Sequence, residues 1–203
     1  AMEIRIVIVE DNSMLRENLE LMLGGEPDFI VAASFATGEE ALEGLDSIAY
    51  DLLLADIGLP GISGIDLIGQ IKVDRPDLDI LVHTVFDNRD TVFSALKAGA
   101  SGYILKGATP RELVEAIQSL AAGGAPMSPK IARAVINEFQ DNTVDEHFLL
   151  TSREKEILIG MERGYTYKEL GNNLSISPHT IHSHIKNIYE KLHAKNRRDA
   201  LIK

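Results

Sequence analysis

The chain has 203 residues, 45% of them hydrophobic, no cysteine and no tryptophan, and 20 Lys+Arg against 31 Asp+Glu for a formal net charge of −11. That length suits one large or two small globular domains, and the composition excludes a disordered or collagen-like chain. Without cysteine there is no disulfide framework and no thiolate metal site, so any metal must be held by oxygen or imidazole.

No apolar run approaches the roughly eighteen residues that a membrane span needs. The opening AMEIRIVIVED lacks the cationic segment and long apolar stretch of a secretory signal. A soluble, cytoplasmic protein with no membrane partner is therefore expected. The charge is unevenly spread: residues 1–147 hold 10 Lys+Arg and 25 Asp+Glu, whereas 148–203 hold 10 and 6. An acidic body joined to a basic module is the asymmetry expected when one part receives a signal and the other touches an anionic polymer.

In chain order, RIVIV (5–9), FIVAASF (29–35), DLLLAD (51–56), DILVHT (79–84) and GYILK (102–106) are short runs rich in branched aliphatics, each expected as a buried strand. Helical spacing of Leu15, Leu19, Met22 and Leu23, and later of Leu113, Ala116, Ile117 and Leu120, fills the intervals. Five strands alternating with five helices specify an α/β fold, a doubly wound five-stranded parallel sheet, over residues 1–122. The paired glycines and two prolines of AAGGAPMSPK open a linker over 123–147, which includes the weakly amphipathic IARAVINEF. Residues 148–203 carry only helical periods and form a second, small all-α domain.

In a parallel sheet, ligands bind beyond the carboxyl ends of the strands. Glu10 and Asp11 follow the first strand, Asp56 ends the third, Thr84 the fourth and Lys106 the fifth. Three converging carboxylates repel one another, and a divalent cation with all-oxygen ligation, Mg²⁺ with retained waters, is the simplest offset. A hydroxyl and an ammonium beside them are what a phosphoryl group on Asp56 requires. Asp51, at a strand start, is read as a turn residue, and His83, on the opposite face from Thr84, as packed.

These residues, with DIGLPGISG from Asp56 to Gly64, resemble the receiver domain of two-component response regulators over about 120 residues. The resemblance implies Asp56 as phosphoacceptor, and Glu10, Asp11, Asp56 and the Gly58 carbonyl as Mg²⁺ ligands. It makes Thr84 and Lys106 phosphoryl contacts, and a sensor histidine kinase the phosphodonor. In similar receivers the aromatic at Tyr103 turns inward when the Thr moves toward the phosphoryl group. Val85 follows Thr84 where the family usually has a small residue, so its bulk bears on access to Asp56 and on that inward ring.

In the basic module Thr151 with Glu154, and Thr166 with Glu169, are capping-box starts, and Ser177-Pro178 opens a third, longer helix. A short helix, a turn through Ser175 to Ser177 and a long amphipathic helix make a helix-turn-helix. The opening LTSRE, the Ser177-x-x-Thr180-Ile181 start, His184 and the closing Asn196-Arg197 resemble the LuxR-type DNA-binding domain. With the receiver, the whole chain resembles the NarL/FixJ family. Ile181, Ile185, Ile188 and Leu192 face inward. Family positions imply His182, Ser183 and Lys186 in the major groove, with Lys186, Lys191 and Arg197 near phosphates. His182 stands where relatives usually carry a cation. His179, His182 and His184 cannot share one helical face, which argues against zinc.

The expected function is a phosphorylation-dependent transcription regulator that binds double-stranded DNA as a homodimer and is not an enzyme on external substrates. Two rivals remain at this stage. One is an aspartyl-phosphate phosphohydrolase, which commonly has an Asp two residues after the nucleophile where this chain has Gly58. The other is a phosphate-independent regulator gated by a partner at the Tyr103 face.

Overall fold

The computed structural model describes residues 3–124, 126–140 and 149–202, the side chains of 193–202 excepted. Strands β1 (Ile4–Val9), β2 (Phe29–Phe35), β3 (Leu52–Ala55), β4 (Asp79–Thr84) and β5 (Gly102–Leu105) pair in parallel in the order β2-β1-β3-β4-β5. All five coincide with the apolar runs to within one residue at each end. Helices α1 (Ser13–Gly24), α2 (Gly38–Gly44), α3 (Gly64–Asp74) and α4 (Arg89–Ala98) provide the crossovers, with a 3₁₀ turn at Leu45–Ser47, and α5 (Pro110–Ala121) follows the last strand.

Because successive strand residues point to opposite faces, each apolar run supplies two cores. Ile6, Ile8, Leu52, Leu54, Leu81 and Ile104 pack beneath α1 and α5. Val7, Val9, Leu53, Ala55, Ile80 and Val82 face α3 and α4. The chain order reverses between β1 and β3, so the crevice at their carboxyl ends is the topological switch point of the sheet.

The linker departs from expectation. Residues Pro129–Gln140 form helix α6, which buries Ile131, Ala132 and Val135 and packs on α7 (Ser152–Glu162). Ile131, Val135 and Phe139, with Ala132 and Ile136 beside them, form one apolar stripe, and it holds as a helix once α7 lies alongside. Residues 141–147 of the expected linker lie outside the described residues. Beyond them α7, α8 (Tyr167–Leu174) and α9 (Pro178–Ile202) complete the helical module. Both expected capping boxes are formed, and the Ser177 hydroxyl accepts the Thr180 N–H at 3.1 Å.

Gly160, in the middle of α7, costs helix propensity of about 1 kcal/mol relative to Ala. Packing explains it: a Cβ there would overlap Leu170 Cδ2 of α8, which is itself buried. Gly160→Ala is therefore expected to destabilise the module by about 1 kcal/mol or more, overpacking outweighing the propensity gain. Calorimetric unfolding of the full chain checks this, and a higher transition temperature in the variant would contradict it.

Candidate functional site

Strand register builds the crevice. Val9 pairs with Ala55, so Glu10 and Asp56 leave neighbouring strands at one level, and the Asp56 N–H donates to the Val9 carbonyl at 3.0 Å. On the other side Thr84 pairs with Leu105, and the Lys106 N–H donates to the Thr84 carbonyl at 2.8 Å. Glu10, Asp11 and Asp56 each present a carboxylate oxygen within 4.8 Å of the others. Glu10, Asp56 and Thr84 are buried, whereas Asp11 is exposed at the rim.

Asp56 is held on both oxygens. Its Oδ1 accepts the Gly58 N–H at 3.0 Å and its Oδ2 the Lys106 ammonium at 2.6 Å. Burial raises its pKa, but the Lys106 ammonium, the Gly58 N–H and the Thr84 hydroxyl together outweigh that and hold it below the ordinary carboxylate value. Asp56 is thus kept ionised, the state a nucleophile requires. For Glu10 burial prevails: its pKa is raised although Lys106 and the Asn12 N–H oppose the shift. Burial lowers the Lys106 pKa, and its contacts with Asp56 and Glu10 more than restore it, leaving it above the ordinary value.

The donor set fits a hard divalent cation. Glu10 Oε1 is buried and has no hydrogen-bond partner, although it lies 2.6 Å from Lys106 Nζ as an ion pair. It therefore keeps lone-pair capacity directed into the crevice. Three carboxylates against one ammonium leave an excess of negative charge, and all-oxygen ligation with room for waters at the exposed Asp11 side suits Mg²⁺.

Tyr103 already points inward. Its side chain is 1% exposed, and its hydroxyl donates to the Phe86 carbonyl at 2.7 Å. Val85 is 67% exposed, directed away from the ring, so its bulk leaves the inward slot open. His83 is buried with its pKa lowered to about 4, burial being the main cause, and it stays neutral as a packed ring.

In the helical module Ile181, Ile185, Ile188 and Leu192 are fully buried. Ser183 and Lys186 are exposed. His182 departs from the outward position expected of it: its ring stands edge-on to Tyr167 with centroids 4.4 Å apart, and its Nδ1 is 3.4 Å from Ser119 Oγ of α5. Burial there lowers its pKa, with the neighbouring His179 adding to the effect. The cause is tertiary, because α9 packs against α4 of the sheet domain. At the same junction burial raises the pKa of Asp79, at the start of β4, against the charge of Lys72 and, more weakly, of Lys186.

Lys191 also departs from expectation. Its ammonium binds the two Glu154 carboxylate oxygens at 3.0 and 2.7 Å and the Leu149 carbonyl at 3.2 Å, so it is committed within the module. Arg197 lies outside the described side chains. Sequence reasoning missed Glu154 as a buried anion, because its capping-box role already explained an acidic residue there. It also missed Tyr189, whose place four residues after Ile185 was the available signal.

Two families match the chain: the response regulator receiver domain over residues 6–118, and the luxR family of bacterial regulatory proteins over 149–203. The transcriptional regulatory protein DegU of Brevibacillus brevis is 33% identical over 98% of this chain and 92% of its own length. The transcriptional regulatory protein UhpA of Escherichia coli K12 is 34% identical over 95% and 93% respectively. Among solved structures, the Salmonella typhimurium RcsB response regulator covers 95% of this chain and 93% of its own, at 24% identity and a TM-score of 0.62. A structure of an RcsB–DNA complex covers 94% and 92% at the same identity and a TM-score of 0.63.

Proposed function

Because the chain belongs to the two-component response regulators that join a receiver to a LuxR-type DNA-binding domain, we propose that its DNA binding is switched by phosphorylation of Asp56, with a phosphohistidine on a sensor kinase as donor. The observation that carries this reading is the convergence of Gly58, Thr84 and Lys106 on the single carboxylate of Asp56.

Asp56 is the nucleophile, kept ionised by its donors. On attack at phosphorus the P–N bond to the donor imidazole breaks, and an aspartyl phosphate and a neutral histidine result. One carboxylate oxygen becomes the bridging atom, so Lys106 exchanges its contact with Asp56 for a phosphoryl oxygen while keeping Glu10 as its counter-ion. The Thr84 hydroxyl, already donating to Asp56, is placed to follow the same oxygen. Mg²⁺ held by Glu10, Asp11, Asp56 and the Gly58 carbonyl supplies positive charge that offsets the carboxylate and phosphoryl anions. The phosphoryl acceptor is the protein itself, so no external metabolite is turned over.

Ser183 and Lys186, with His182 once it is released from Ser119, are the groove-facing residues of α9, and the functional unit on DNA is a twofold dimer reading symmetric half-sites. With His182 against α5, the resting chain keeps part of this face turned toward the receiver. Selection from a random DNA pool, with and without acetyl phosphate and Mg²⁺, tests the reading. Enrichment of a palindromic sequence with the donor, and weak or no enrichment without it, is expected. Equal enrichment in both arms would favour the phosphate-independent alternative, and none in either would overturn the assignment of α9.

A further inference from the structure

Between the two domains runs a short segment, Pro126–Met127, that touches both. Met127 forms a parallel bridge with Tyr103, extending the sheet beyond its β5 edge. Pro126 lies against Gly102 so closely that a Cβ there would stand 2.9 Å from its Cγ. From the other side, the Tyr189 hydroxyl of α9 donates to the Pro126 carbonyl at 2.9 Å, a buried bond. The Tyr167 hydroxyl of α8 is hydrogen-bonded to the Met127 backbone. Two tyrosines of the DNA-binding domain therefore grip the two residues that are stitched onto the strand carrying Tyr103.

We propose that Pro126–Met127 is a latch: paired with β5 and held by Tyr167 and Tyr189, it keeps α9 against the receiver, and it carries displacement of the Tyr103 strand to the DNA-reading helix. This rests on the proposed phosphorylation switch and deepens it by naming the element that transmits the signal.

Several features of the fold converge on this role. Met127, Tyr189 and Tyr103 are all nearly inaccessible and belong to one continuous apolar cluster that reaches from the α3–α4 face of the sheet into the helical module. A buried phenol donating to a main-chain carbonyl is costly to leave unpaired, so breaking the Tyr189 bond favours a rearrangement in which water reaches that carbonyl. The Tyr103 hydroxyl is tied to the Phe86 carbonyl in the loop that follows Thr84. A shift of Thr84 toward a phosphoryl oxygen on Asp56 therefore acts on the strand that bears the latch. α9 also packs directly on α4, and His182 approaches Ser119 of α5 at 3.4 Å; the Pro126–Met127 segment differs from both in being paired with the strand that bears Tyr103.

Two full-length variants test the proposal from opposite sides. Tyr189→Phe removes one hydroxyl and leaves the ring to fill its place. Gly102→Ala inserts a methyl group that would stand 2.9 Å from Pro126 Cγ and 3.1 Å from Leu81 Cδ1, pressing the segment off β5 from the receiver side. Each is compared with the parent by small-angle scattering and by DNA titration, with and without beryllofluoride and Mg²⁺. We expect both variants to be more extended without beryllofluoride and to bind DNA at least tenfold more tightly than the unstimulated parent. Stimulation by beryllofluoride should fall to less than threefold, with the stimulated affinity unchanged.

Parent-like radii and parent-like stimulation in both variants would overturn the latch. If Tyr189→Phe fails to fold, as read by circular dichroism, Gly102→Ala decides alone. A parent that binds no DNA in any arm would refute the proposed switch while the scattering comparison still decides whether the segment holds the domains together.

Discussion

Asp56→Asn takes up no phosphoryl group from a small phosphodonor, whereas the parent gains one on Asp56, read by mass spectrometry of the intact chain and its peptides. Asparagine keeps the shape of the side chain and the Gly58 N–H contact to Oδ1 but lacks the second anionic oxygen that Lys106 faces at 2.6 Å. The same substitution should also change the response to Mg²⁺. A ligand that binds only the folded protein stabilises it by about 1.4 kcal/mol at ten times its dissociation constant. Thermal stabilisation by Mg²⁺ should therefore appear in the parent and shrink or vanish in the variant.

In the absence of metal the sign is fixed by the Asp56 pKa, which is lowered in the folded chain. A depressed carboxylate contributes stability that is present above its unfolded value and is lost as pH falls through the folded one. Asp56→Asn should thus be somewhat less stable than the parent at neutral pH, and the difference should disappear in strong acid. Full labelling of the variant on another residue, or an undiminished Mg²⁺ effect, would remove Asp56 from both roles.

Lys191→Ala and Lys186→Ala should lower DNA binding for different reasons. Lys191 is the counter-ion of Glu154, which is 3% exposed and also accepts the Thr151 N–H at 2.9 Å. Removing one partner of a buried pair leaves the other charge uncompensated, at a cost of about 3–5 kcal/mol. With the Lys191 side chain 24% exposed, a loss of about 2–3 kcal/mol is the better expectation. DNA affinity then falls because the module unfolds. Lys186 is exposed, and its removal should leave the unfolding temperature within about a degree. It should weaken specific binding by about 1–3 kcal/mol if it reads a base. If it meets only phosphate, binding to all sequences weakens alike and the salt slope falls by about one. Calorimetry and DNA titrations at two salt concentrations separate the cases. A stable Lys191→Ala variant with a reduced salt slope would return Lys191 to the DNA surface.

Local patterns determined most of the receiver. An all-parallel sheet needs strands buried on both faces, and runs such as DILVHT and DLLLAD meet that need. Polar residues placed just past each run then fall at one end of the sheet, so Glu10, Asp11, Asp56, Thr84 and Lys106 were legible as a group before any contact was known. The helix starts of the DNA-binding module were equally legible, because capping depends on residues three apart. What sequence periodicity could not carry were contacts between elements distant in the chain. The helical linker segment α6 acquires its partner α7 only in the folded chain. Glu154 and Lys191 are 37 positions apart, and no local rule pairs them. His182, Tyr189 and Lys186 lie on one helix whose outward face the sequence assigns to DNA. Only the packing of α9 against the receiver decides that His182 meets Ser119 and Tyr189 holds Pro126.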